Sequence, residues 1–118
     1  KSLPLNNNGR HSRDFTNIED VTDIINKLLI KNIGKGHKIF NVCSSNPISL
    51  LSFIKIIEKI TNKKAKIKKK KKQLGDVVKT YGSNNEINKF VKKNKYIDIE
   101  SGMKSYIDWF KSFYGPFE

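Results

Sequence analysis

One cysteine and two arginines are all that a chain of 118 residues holds of either type. The lone Cys43 excludes an internal disulfide framework and fits a reducing, cytoplasmic setting. With that cysteine and two distant histidines, His11 and His37, there is no metal-ligand spacing. No apolar run approaches the ~20 residues that span a bilayer. No charged-then-apolar signal segment opens the chain. The hydrophobic fraction of 36% is low but enough for a modest core, and the length is that of one domain or part of a larger one. A chain that opens on Lys1 rather than methionine fits a fragment, a processed product or an engineered expression product.

Acidic residues are also scarce, 11 against 24 basic ones, which gives a formal charge of +13. Such a charge invites a nucleic-acid reading. Its distribution argues the other way. Eight lysines fall within residues 63–72, and without them the formal charge would be +5. Only Arg10 and Arg13 are arginines, whereas base-edge and phosphate recognition favours arginine's planar fork. No aromatic residue interleaves with the lysine run to stack bases. The run reads as a solvated, lysine-biased surface, with a basic nucleic-acid-binding module as the alternative.

What is present alternates between strand-like and helix-like segments, so the class is α/β. Residues 3–10 read as an extended segment ending in the turn signal Asn6-Asn7-Asn8-Gly9. Thr16-Asn17-Ile18-Glu19 has the form of a capping box, with Thr16 as the cap. Val21, Ile24, Ile25, Leu28 and Leu29 follow at the spacing of a half-buried helix. Residues 38–42 predict a short strand. Ser49 predicts the cap of a second helix reaching about Thr61, broad enough in its apolar face to be covered on two sides. Residues 65–70 predict an exposed strand, and residues 73–81 a loop with a short strand at its end. Ser83-Asn84-Asn85-Glu86 is another capping-box form. Asp98 predicts the cap of a last helix that buries Met103, Tyr106, Ile107 and Phe110, with Pro116 beyond its end. His11 is expected to be exposed, and His37 to be structural. Cys43 should pack as a small apolar residue, and Tyr106 and Trp109 should lie in the core. Two or three short strands beside four apolar helix faces would pack better against a further domain.

Four segments carry a resemblance. Gly9-x-x-x-Arg13-Asp14-Phe15-x-x-Ile18-x-Asp20-Val21 leads into a helix. Phe40-Asn41-Val42 and Ser45-Asn46-Pro47-Ile48-Ser49-Leu50 follow. Gln73-x-Gly75-Asp76-Val77-x-x-Thr80-Tyr81 comes next, and an amphipathic segment over residues 99–114 closes the set. In this order and spacing the chain resembles the C-terminal part of the extended short-chain dehydrogenase/reductases. Within them it resembles the NAD-dependent nucleotide-sugar epimerases and dehydratases, in particular the UDP-glucuronate 4-epimerase group.

The resemblance implies a substrate domain over residues 1–118 that holds the UDP end of a sugar nucleotide, with the dinucleotide-binding Rossmann domain lying N-terminal to it. It implies that Arg13 pairs with the diphosphate, a role that suits a bidentate guanidinium. Asp76 would accept from the ribose hydroxyls. Gln73 stands where relatives often carry arginine. The backbone near Leu5 and Asn6 would face the uracil, although Asn6 replaces a usual aromatic residue. Asn17 and Ser83 replace a common tyrosine and aspartate. Read without the resemblance, Arg13 could pair with Asp14, Glu19 or Asp20, Asp76 could be a turn residue, and Gln73 a solvated one. The implied cofactor is NAD, and the implied assembly a homodimer. The chain has no Gly-x-x-Gly-x-x-Gly. None of Tyr81, Tyr96, Tyr106 or Tyr114 has a lysine four residues on. These residues alone are therefore expected to be inactive. A sugar-nucleotide dehydratase or decarboxylase on the same scaffold is the sister reading.

Overall fold

A computed structural model of the chain describes residues 2–32 and 34–116. Four short strands and four helices follow one another along it: β1 (Leu3–Leu5), β2 (Ser12–Arg13), α1 (Ile18–Ile30), β3 (Ile48–Ser49), α2 (Leu50–Thr61), β4 (Ile67–Lys69), α3 (Asn85–Val91) and α4 (Ile99–Tyr114). A 3-10 turn over Asn6–Gly9 follows β1. The α/β expectation holds.

The strands form two small sheets. β1 and β4 run parallel, with Leu3 opposite Ile67 and Leu5 opposite Lys69. β2 and β3 run antiparallel, with Ser12 opposite Ser49 and Arg13 opposite Ile48. Pro4 sits in β1, where its missing N–H is tolerated at a sheet edge. Gly9 closes the turn at φ +77, and a Cβ there would stand 2.7 Å from side-chain carbons of both Leu5 and Leu51. Only glycine meets both demands.

Three of the four helices start on a side-chain cap. The Asp98 carboxylate accepts from the Ser101 N–H at 2.9 Å, and the Ser49 hydroxyl accepts from the Ser52 N–H at 3.0 Å. Both caps are as predicted. The cap of α1 is Asn17 rather than Thr16: the Asn17 side chain accepts from the Glu19 N–H at 2.8 Å. The Thr16 hydroxyl is instead engaged by the Ser44 N–H at 3.2 Å, a partner from a distant loop. At α3 no capping box forms: the cap position is Asn84 rather than Ser83, and the Asn84 amide donates to the Cys43 carbonyl at 2.9 Å.

The core lies where α1 meets α3. Ile24, Ile87 and Val91 are its buried residues, with Leu28, Phe40, Val42, Phe90 and Tyr96 packed around them. Phe40 packs against Phe90 at 5.0 Å between ring centres, the rings tilted by 32°. Phe40 and Val42 face inward while Ile39 and Asn41 face out, which is the alternation of a strand. Yet residues 38–42 make no backbone hydrogen bond to other described residues, so the predicted strand is extended but unpaired.

A second contact joins α2 to α4. Phe53 of α2 stacks on Phe15 at 4.4 Å. On α4 only Ile107 is buried, Met103 and Phe110 are half-buried, and Tyr106 is exposed. Trp109, Phe113 and Tyr114 are exposed as well, so the expected core role of Tyr106 and Trp109 is not met. One stripe of α4 reaches α2, and among the described residues nothing covers the opposite face.

A buried ion pair ties α1 to the chain ahead of α4. The Lys93 ammonium lies 2.9 Å from Asp20 and 3.1 Å from Asp23. The other Asp20 oxygen accepts from the Ile97 N–H at 2.9 Å.

Candidate functional site

The loop over residues 73–80 is pinned at both ends by backbone hydrogen bonds. At one end the Lys70 N–H donates to the Leu5 carbonyl at 2.9 Å, and the Asn8 N–H donates to the Lys70 carbonyl at 3.1 Å. At the other, the Ser12 N–H donates to Val78 at 2.9 Å and the Thr80 N–H donates to Ser12 at 3.2 Å. The loop therefore runs from the 3-10 turn to β2. Those are the elements that carry the residues singled out in the sequence.

Asn6 and Gln73 meet directly, the Asn6 amide donating to the Gln73 side-chain carbonyl at 2.8 Å. Arg13 reaches the far end of the same loop. Its Nη1 donates to Ser12 O at 2.8 Å and to Val78 O at 3.4 Å. Neither bond uses a carboxylate. Among the described residues Arg13 has no ion pair with Asp14, Glu19 or Asp20. The Asp20 carboxylate is held by Lys93, and that of Asp14 by donors from two loops. A guanidinium fixed at one nitrogen leaves further N–H donors for an anion.

Asp76 is half-buried in the turn that Gly75 closes at φ +85. Its N–H donates to the Gln73 carbonyl at 3.3 Å, and its carboxylate accepts no hydrogen bond from the described residues. All four residues thus lie on, or bond to, one short stretch of loop. A half-buried acceptor and a partly free guanidinium can together take a ligand with hydroxyls at one point and anionic oxygens at another.

His11 is not the exposed residue that its sequence context suggested. His11 is buried, at 2% exposure, and its Nε2 has no hydrogen-bond partner among the described residues. Its backbone carbonyl accepts from the Leu50 N–H at 2.9 Å, which seats it against the start of α2. His37 is exposed. An apolar groove of about 550 Å³ opens elsewhere, between Phe15, Ile18 and the α4 residues Met103, Tyr106 and Trp109. It is lined by none of Asn6, Arg13, Gln73 and Asp76.

No protein-family model matches the chain. An uncharacterized protein of Methanocaldococcus jannaschii is 39% identical over 110 residues, which is 93% of this chain and 33% of that protein. A UDP-glucuronate 4-epimerase of Thermodesulfobacterium geofontis is 30% identical over 113 residues, 94% of this chain and 34% of that enzyme. The crystal structure of UDP-glucuronic acid 4-epimerase from Bacillus cereus, in complex with UDP-glucuronic acid and NAD, superposes with a TM-score of 0.85 at 23% identity, over 97% of this chain and 36% of that one. The chain carries the C-terminal part of the extended short-chain dehydrogenase/reductase fold. Its relatives include UDP-glucuronate 4-epimerases, and it spans about a third of their length, 33% and 34% of the two proteins above.

Within this part of the epimerase fold one residue stands out that the sequence did not single out by itself. Asp14 follows Arg13 and collects donors from two loops. Its carboxylate accepts from the Ser44 hydroxyl at 2.6 Å, the Ser45 N–H at 3.1 Å, the Asn46 N–H at 3.3 Å and the Gly82 N–H at 3.3 Å. Its own N–H donates to the Thr80 hydroxyl at 3.1 Å. Asp14 thereby fixes the backbone beside Arg13. The only available signal was its place in the Arg13-Asp14-Phe15 segment, since its partners lie 30 or more residues away.

Among the described residues no group of three or more histidines, cysteines or carboxylates could hold a metal. Among the described residues no helix is long and apolar enough to cross a membrane.

Proposed function

We propose that this chain is the substrate-binding part of an NAD-dependent nucleotide-sugar epimerase of the UDP-glucuronate 4-epimerase type, and that it holds the UDP moiety. The observation that carries this reading is the gathering of Asn6, Arg13, Gln73 and Asp76 about one pinned loop. Arg13 would grip the diphosphate through its remaining N–H donors, and Asp76 would accept from the ribose hydroxyls. Gln73 and Asn6 would close the base end.

The chain's own residues do not fit the dinucleotide. NAD needs a Gly-rich loop opening a helix, where backbone N–H groups approach the pyrophosphate. Here the helix starts are Asn17, Ser49, Asn84 and Asp98, and none follows a Gly-rich loop. The nicotinamide and the catalytic pair would belong to an N-terminal Rossmann domain, and these residues alone would be inactive. Three features support a missing neighbour. Residues 38–42 form an unpaired strand-like edge, α4 shows an uncovered aromatic face, and the relatives are about three times as long, this chain being 33% and 34% of two of them. A homodimeric, cytoplasmic parent enzyme completes the proposal.

The test compares two proteins. One is this chain, and the other is the same chain continued upstream by its own coding sequence. The reading expects no turnover of UDP-glucuronate with NAD by the first and 4-epimerisation by the second. Turnover by the first, or a second protein that ignores UDP-sugars, would overturn it.

A further inference from the structure

We infer that the lysine edge formed by β4 and residues 70–72 is an electrostatic collector for the anionic nucleotide. This rests on the UDP-binding reading above. The sequence has no acidic residue between Glu58 and Asp76. Glu58 is already paired with Lys64 at 3.2 Å. Lys66, Lys68, Lys69, Lys70, Lys71 and Lys72 are exposed, and among the described residues none makes an ion pair. Six ammonium groups therefore follow closely along the chain without a counter-charge among the described residues.

Their position is fixed rather than trailing. β4 is hydrogen-bonded along β1, and Lys70 is bonded through its backbone to both Leu5 and Asn8. Three residues later Gln73 takes the Asn6 amide. At 3.8 Å between successive Cα atoms, the backbone of Lys70 lies within about 11 Å of that of Gln73. This is close to the Debye length of about 10 Å at 0.1 M salt, so the field of these charges reaches the proposed nucleotide site. Lysines on an edge strand also block unwanted strand pairing. Flexible point charges suit attraction over a distance, whereas Arg13 suits contact. A like-signed rim of this kind raises the capture rate of an oppositely charged ligand and loses its effect in salt.

The experiment titrates the chain and a quadruple variant, Lys69→Gln, Lys70→Gln, Lys71→Gln and Lys72→Gln, with UDP and with uridine, at low and at high salt. Circular dichroism checks that the variant, altered only at exposed side chains, keeps its helices. For UDP at low salt the variant should bind about tenfold more weakly, within the range of electrostatic steering. At high salt the two proteins should converge, and uridine should not distinguish them. If both proteins bind UDP equally at low salt, the collector is refuted while the UDP reading stands. If neither binds UDP, the UDP reading fails and the collector fails with it. Tight binding of duplex DNA by the lysine run, with UDP binding unaffected by the four substitutions, would also overturn it.

Discussion

The ammonium of Lys93 and the carboxylate of Asp20 meet at 2.9 Å with their side chains only 9% and 4% exposed. Burial works against the Lys93 charge, but its hydrogen bonds to Asp20 and Asp23 outweigh that and raise its pKa above the ordinary lysine value. Asp20 also holds the Ile97 N–H, so the pair fastens α1 to the approach of α4. Removing one partner leaves a buried charge alone. Lys93→Ala should therefore cost about 3–5 kcal/mol in urea unfolding. Because a marginal domain has only about 5–15 kcal/mol in hand, the variant Asp20→Leu with Lys93→Met serves as control. It should lose markedly less, since no charge is stranded. Raised in the folded state, the Lys93 contribution is present below the unfolded lysine pKa of about 10.4 and is lost as pH rises through the folded value. The wild type should show this alkaline loss, and the double variant should not.

Asp14 makes a second, independent prediction. Its oxygens accept from three backbone N–H groups and a hydroxyl. Asp14→Asn turns one acceptor into a donor that faces donors. The cost should be about 1–3 kcal/mol, the penalty for leaving half-buried backbone groups unsatisfied. Thermal melting reads it. A melting temperature unchanged by the substitution would show that the two loops are held by something else.

At the start of α4 the Asp98 carboxylate is held below its ordinary pKa, first by the Ser101 N–H and then by the Ser101 hydroxyl. A depressed carboxylate contributes stability above the unfolded value of about 3.9, and that contribution is lost as pH falls through the folded pKa. Asp98→Asn keeps a good cap and should match the wild type at neutral pH, with a shallower loss of stability in acid. An acid limb identical in the two proteins would contradict the assignment.

Much of this architecture was legible locally. Ser49 and Asp98 cap α2 and α4 as read, because each bonds to a residue three positions on. The exposed strand over β4 was read from its pattern as well. What failed was decided far along the chain. Thr16 lost the capping role because Ser44 claims its hydroxyl. His11 is buried, and its backbone is held by Leu50, 39 positions along the chain. Residues 38–42 alternate as a strand should, but a strand also needs a neighbour, and local pattern says nothing of one. Tyr106 and Trp109 have the spacing of core residues on a helix whose covering face is missing among the described residues. At the site, the resemblance pointed to Asn6, Arg13, Gln73 and Asp76. The Asn6–Gln73 bond spans 67 residues and could not be read from either end.

The uncovered surfaces give a prediction about the upstream domain proposed above. Trp109 is 50% exposed, so its fluorescence in this chain should be red-shifted and readily quenched. The amides of residues 39–42 should exchange rapidly, since no described carbonyl accepts from them. With the upstream domain present, the emission should shift to the blue and the exchange should slow. If both readouts are the same with and without that domain, these faces are not where it docks.

The most direct measurement is a calorimetric titration of UDP into this chain and into Arg13→Ala. The account predicts that the chain binds UDP and that the variant binds it at least about tenfold more weakly, in line with the loss of about 1.5–3 kcal/mol from a charged hydrogen bond. Absence of UDP binding by the wild type, or equal binding by the two proteins, would contradict it.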